Sequence, residues 1–217
     1  MTSVQNDPAG RSVSTATFEW IERMILDGEL EPGSRLVVKK LADHLGLSPT
    51  PVKTALAALE RAGLVTATFQ SGYSVPCPDR RVFIESYQIL TELDVLAVRI
   101  VLASDDVQAK VQKISEANDH VTRFEYNFHQ MLWKVADQRQ LIEQANLLRG
   151  RALVGSGQLM QSAAATTDIQ EEHDLIVGAL RSRDVPFAEE LIRRHAKKTI
   201  TRVSELMDNR VLTRRLA

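Results

Sequence analysis

Five histidines punctuate the 217-residue chain: His44, His120, His129, His173 and His195. Glu125 and His129 stand four apart in a stretch of helical periodicity, so both side chains leave one face. His173 and His195 fall on the last two predicted helices, which meet in a tight turn near Arg183. His173 comes ten residues before that turn and His195 twelve after it. At about 1.5 Å per residue, both lie roughly 15 to 18 Å from the turn. Antiparallel helices therefore bring the two rings level. Three imidazoles and one carboxylate, from Glu125, His129, His173 and His195, form a set suited to a divalent ion. Zinc leads, with nickel and manganese also compatible with mixed N/O ligation.

The elements that must position these groups are helical. Phe83, Ile84, Tyr87, Leu90, Leu93, Leu96, Ala97, Ile100 and Val101 recur at helical spacing. Further helices are predicted over about 105–119, around Phe124 to Val135, and over about 141–160, 167–182 and 186–207. Asp184 is the expected N-cap of the last, with Pro186 in its first turn. Pro76 and Pro78 interrupt the chain ahead of this region and mark a linker over residues 77–81.

The residues before the linker pattern differently. Residues 1–12 read as a flexible tail. Phe18, Ile21, Met24 and Ile25 mark one helix, stopped at Gly28. Val37, Val38, Leu41 and Leu45 mark a second, closed by Gly46. Ser48 is a good N-cap for a third, with Pro49 at its first position and Val52, Leu56 and Leu59 on one face. Helix, tight turn, helix is the spacing of a helix-turn-helix. Val65–Phe69 and Tyr73–Val75 flank Gln70-Ser71-Gly72 as a β-hairpin. Three helices plus a hairpin make a winged helix-turn-helix over 13–76. The fold class expected is mainly α, this head preceding an all-α bundle over 82–210.

Composition narrows the class. Apolar residues make up 44% and charged residues 25%, an ordinary globular balance that excludes collagen-like and disordered chains. Cys77 is the only cysteine, so no intrachain disulfide can form, which fits a reducing compartment. No apolar run approaches the roughly 20 residues of a membrane span, and the N-terminus has no secretory apolar core. A cytoplasmic location is expected. The net charge of −1 gives no bulk attraction to nucleic acid, so contact with DNA requires a local patch. Residues 1–31 carry two basic and six acidic side chains, whereas residues 32–63 carry five basic and two acidic. The basic segment contains Arg35, Lys39, Lys40 and Lys53, which can pair with phosphates. Ser48, Thr50 and Lys53, on the first turns of the third helix, and Gly72 of the wing complete the candidate DNA contacts. Tyr73 is expected to pack the wing.

The string Glu31-Pro-Gly-Ser-Arg-Leu36, then Leu41 to Leu56 with its Ser48-Pro-Thr-Pro-Val-Lys-Thr-Ala-Leu56, then Leu59-Glu-Arg-Ala-Gly-Leu-Val65, resembles the N-terminal domain of GntR-type transcription regulators. The resemblance implies a homodimer with its third helix in the major groove of an operator and its wing near the minor groove. Pro49 and Lys53-Thr54 stand where the family usually has arginine and Arg-Glu, which implies altered base readout. A second resemblance lies in Glu125-x-x-Phe128-His129, in Glu172-His173-x-x-Ile176-x-x-Ala179-Leu180-x-x-Arg183-Asp184, and in Ala188 and His195. These residues are similar to the FadR C-terminal (FCD) type of effector domain. That likeness implies a divalent metal on Glu125, His129, His173 and His195, and a small carboxylate metabolite as effector. Glu92-Leu93-Asp94 stands where the family often has Glu-x-Arg, which replaces a carboxylate-binding cation with an anion. Arg99 and Arg151 are the substitutes considered.

The expected function is a non-enzymatic, effector-responsive DNA-binding regulator, a repressor in the manner of most such proteins. The rival readings are a metal-dependent hydrolase and a constitutive DNA-binding dimer. The hydrolase leaves the Ser48–Leu56 string without a role.

Overall fold

A computed structural model describes residues 12–68, 72–77, 79–118, 124–154 and 163–216; the side chains of 68, 124–126, 163–166 and 209–216 are outside that description. The chain divides into two units, residues 1–79 with 149–158, and residues 80–148 with 159–217. The expected tail falls outside the described residues except for Ser12, which accepts a hydrogen bond from Thr15 N and caps the first helix.

The first unit opens with α1 (Val13–Leu26), whose Ile21 and Ile25 enter the core. A two-residue strand β1 (Arg35–Leu36) follows, then α2 (Val38–Leu45) and α3 (Pro49–Arg61). Gly46 makes the turn between α2 and α3 at φ 66°, a conformation in which a Cβ is penalised. Pro49 occupies the first turn of α3, where its missing N–H leaves no helical bond unmade. On α3, Val52, Ala55, Leu56 and Leu59 are buried, while Ser48, Thr50, Lys53 and Thr54 are exposed. The inward face meets Ile21, Ile25, Leu36, Leu64, Val65 and Val75 in one core.

Strands β2 (Thr66–Thr68) and β3 (Gly72–Ser74) form the wing. They pair antiparallel, with Ala67 opposite Tyr73, and β1 adds to the other edge of β3, with Leu36 opposite Tyr73. The hairpin expectation thus becomes a three-stranded sheet in the order β1-β3-β2. A two-residue strand is too short to leave an alternating pattern, so β1 has no periodic signal. Tyr73 packs against the core, as expected of it.

The second unit comprises α4 (Arg80–Leu102), α5 (Val107–Asn118), α6 (Phe124–Ala136), most of α7 (Arg139–Leu153), α8 (Ala163–Arg181) and α9 (Val185–Leu216). Helix α4 starts at Arg80, inside the expected linker. It runs antiparallel to α9, tied by Arg80–Asp208, Glu92–Arg193 and Arg99–Glu189 ion pairs. Helix α6 packs against α4, α5 and α8, and α8 against α5 and α9. Phe128, Leu132, Trp133, Ile114, Ile176, Leu180 and Ile192 fill the middle, each no more than 1% exposed. Each such side chain contributes about 1.5–3 kcal/mol on burial. Asp184 caps α9 by accepting from Phe187 N at 3.1 Å. Arg183, in the turn before it, sits at φ 57°.

Candidate metal centre and nucleic-acid interface

His129 lies on α6, His173 on α8 and His195 on α9, at 4%, 0% and 2% exposure. Burying three imidazoles without partners is costly, so their surroundings carry the information. The Nε2 atoms of His129 and His195 are 3.3 Å apart. The ring centres of His173 and His195 are 4.8 Å apart, and those of His129 and His173 5.4 Å. One ligand nitrogen from each ring lies within 4.8 Å of the other two. The turn at Arg183 therefore brings His173 and His195 level, as the spacing predicts, and α6 supplies the third ring.

A polar group stands behind each ring. Glu172 Oε2 accepts from His195 Nδ1 at 2.7 Å, and its Oε1 accepts from Lys198 Nζ at 2.9 Å. Burial raises the Glu172 pKa, but the hydrogen bonds and positive charge of His195 and Lys198 outweigh it and bring the group down to about 2. An ionised carboxylate only accepts, so His195 Nδ1 donates to it and a neutral His195 carries its lone pair on Nε2. Behind His173, Asn118 Oδ1 lies 3.1 Å from Nδ1. Near His129, buried Asp94 accepts from Trp133 Nε1 at 2.5 Å and places Oδ2 3.1 Å from His129 Nδ1. Phe128 stacks on His173 with ring centres 4.1 Å apart.

The donor chemistry fits a divalent ion. Zinc–nitrogen bonds of about 2.0–2.1 Å at tetrahedral angles set neighbouring nitrogens about 3.3 Å apart, which is the His129–His195 separation. Ligating imidazoles typically have Nδ1 bonded to a carboxylate, a carbonyl or water, and polar oxygens stand at all three here. Glu125 is the fourth expected ligand, and its side chain lies outside the described residues. His120 also lies outside them. His44 belongs to the first unit, where its ring packs 5.6 Å from Trp20.

Neither arginine considered for the effector is brought to this cluster. Arg99 is exposed and donates to both carboxylate oxygens of Glu189, at 2.6 and 2.9 Å, which holds it on the bundle surface. Arg151 is exposed and groups with the first unit. Asp94, Asn118 and Glu172 were not singled out by spacing as parts of the cluster. Glu172 precedes His173 directly, and the neighbour of a histidine on one helix can reach a partner on the next. Asp94 and Asn118 come from α4 and α5, and only the tertiary arrangement reveals them.

In the first unit, Lys39 and Lys40 on α2 and Thr50 and Lys53 on α3 are exposed, as is Arg35 on β1. Ser48 takes the N-cap backbone conformation, but its hydroxyl makes no capping hydrogen bond. Gly72 sits at φ 88° at the start of β3 and is also exposed.

Comparison with known proteins agrees with both halves. Residues 14–75 match the family described as bacterial regulatory proteins, gntR family, and residues 85–198 match the FCD domain. YdhC of Bacillus subtilis, named an HTH-type transcriptional regulator, is 26% identical over 57% of this chain and 61% of its own length. McbR of Escherichia coli is 31% identical over 42% of this chain and 44% of its own length. The McbR/YncC structure superposes with a TM-score of 0.69 over 91% of this chain and 99% of that one, at 20% identity. GlaR of Escherichia coli, named a transcriptional repressor, is 22% identical over 88% of this chain and 95% of its own length. The chain thus spans less than two thirds of YdhC and McbR by sequence, and nearly all of GlaR. Among the described residues, no helix is long and apolar enough to cross a membrane. With a winged head and a helical effector domain each matched in turn, the chain belongs to the GntR family of bacterial transcription regulators, in its FCD-domain branch.

Proposed function

We propose that this regulator is a cytoplasmic homodimeric repressor, released from its operator by a small carboxylate metabolite that binds at a metal in the helical domain. The observation that carries the reading is the convergence of three buried imidazoles with polar groups behind them. In this reading residues 13–76 grip DNA, 77–81 connect, and 82–210 dimerise and sense, with residues 1–12 a tail. His129, His173 and His195, with Glu125, hold zinc, or nickel or manganese in its place. A divalent ion there supplies a positive centre with open positions for a carboxylate oxygen. The protein's share is to hold one nitrogen of each of three buried rings toward a common point.

At the head, Thr50 and Lys53 approach base edges from the first turns of α3. Ser48, Arg35, Lys39 and Lys40 meet phosphates, and Gly72 lets the wing come close to the duplex. A two-fold dimer calls for a pseudo-palindromic operator. The effector acts only through its difference in affinity for the DNA-bound and released arrangements. GlaR, named a repressor, supports the sign of regulation.

The deciding experiment pairs metal analysis of the purified protein with a gel shift on the intergenic DNA upstream of its own gene. The shift is run with and without candidate organic acids. About one divalent ion per chain and an acid-dependent loss of the shifted band are expected. A metal-free protein whose band ignores every acid and every added cation rejects the reading.

A further inference from the structure

We propose that Asp174 and Asn118 form a tautomer lock on His173, making both of them positioning residues of the imidazole cluster. The inference deepens the metal reading above and rests on it for its consequence, but not for its geometry.

The argument is one of donors and acceptors. Asn118 Nδ2 lies 2.8 Å from Asp174 Oδ1 and donates to it, because an amide nitrogen only donates and a carboxylate only accepts. That contact fixes which end of the amide faces inward. Gln170 Nε2 also donates to Asp174 Oδ1, at 3.0 Å, and holds the carboxylate in place on α8. The inward end of Asn118 is therefore Oδ1, an acceptor, 3.1 Å from His173 Nδ1. His173 Nδ1 must donate. A neutral ring that donates from Nδ1 carries its lone pair on Nε2, the nitrogen that faces the other two rings. His173 is 0% and Asn118 2% exposed, so water does not compete for these contacts. Phe128 stacked on the ring at 4.1 Å keeps its plane. The lock reaches the surface through exposed Asp174. One end can therefore be altered without disturbing the core.

The test uses the full chain, metal-free and 15N-labelled, with zinc as the added probe. Long-range 15N–1H correlation reads the tautomer of each imidazole, and a competing chelator dye reads zinc affinity. Wild-type His173 is expected as the Nδ1–H form. Asn118→Leu is expected to populate the Nε2–H form and weaken zinc binding about 10- to 100-fold. Asn118→Asp keeps an acceptor at Nδ1 and is expected to retain the wild-type tautomer. Should the Leu variant fail to fold, Asp174→Ala, at an exposed site, shifts the tautomer in the same direction with a smaller loss of affinity. A wild-type ring in the Nε2–H form overturns the proposal. So does a wild-type tautomer with unchanged zinc affinity in both Asn118→Leu and Asp174→Ala. If wild type takes up no zinc while the tautomer still follows Asn118, the lock stands and the metal reading falls.

Discussion

The two units use opposite chemistry. In the head, the groups suited to function stand on the outside: α3 buries Val52, Ala55, Leu56 and Leu59 and turns Thr50 and Lys53 outward. In the bundle, the groups suited to function are inside, at 4% exposure or less, and share their space with the core. An outward contact is a charge added to a stable scaffold, and it can be altered cheaply. An inward cluster is part of the scaffold, so each ring must be satisfied before it can bind anything. The difference predicts that variants of the head's outward residues separate binding from stability, whereas cluster variants mix them.

The largest effect expected is from Leu56→Ala, which empties a fully buried position in the head. A loss of about 2–5 kcal/mol is expected by denaturant unfolding, with loss of operator binding. A loss under 1 kcal/mol would break the view of α3 as a core-supported reading helix. Next comes His129→Ala, expected to abolish stoichiometric metal and effector response in the full chain while the gel shift survives. Equal effector response in variant and wild type removes His129 from the centre. Third, acid should weaken the metal-free bundle through Glu172. Its folded pKa of about 2 lies below the ordinary 4.5. Its contribution is therefore complete above about 4.5 and lost as pH falls from there through about 2. Unfolding midpoints across that window should fall less steeply in Glu172→Gln than in wild type; identical slopes contradict the assignment. Smaller still, Lys53→Ala should weaken operator binding several-fold and relax specificity at the base it reads, with metal content unchanged. The least effect is expected from Arg99→Ala: tied to Glu189 at the surface, it should leave effector affinity within about twofold.

How much of this could be read from residues alone follows the same division. The head was legible because its turns are written in Gly46, Pro49 and the Ser48–Leu56 string, local signals that fix local structure. Strand β1 escaped because two residues set no pattern. The level placement of His173 and His195 was legible too, since one turn and a constant rise per residue determine it. The partners behind the rings were not. Asp94 and Asn118 are separated from their histidines by 35 and 55 residues, and no periodicity links them. By sequence Asp94 is only an anion where the family often has a cation. Its contacts with Trp133 and His129 give that anion a place. Charge alone nominates Arg99 for the pocket, and charge does not say which way a side chain faces.

The turn at Arg183 has a consequence for the chain's tolerance of insertions. Helix α9 is a rod whose angular setting is inherited from that short corner, where Arg183 adopts a left-handed φ of 57°. One residue added within α9 between the corner and His195 would swing everything beyond it by about 100° and advance it about 1.5 Å. The imidazole would be carried around the rod and away from its fellows. A residue added in α8 between His173 and the corner would have the same effect. The corner therefore works as a gauge block, and the convergence of the three rings depends on a length as much as on any side chain.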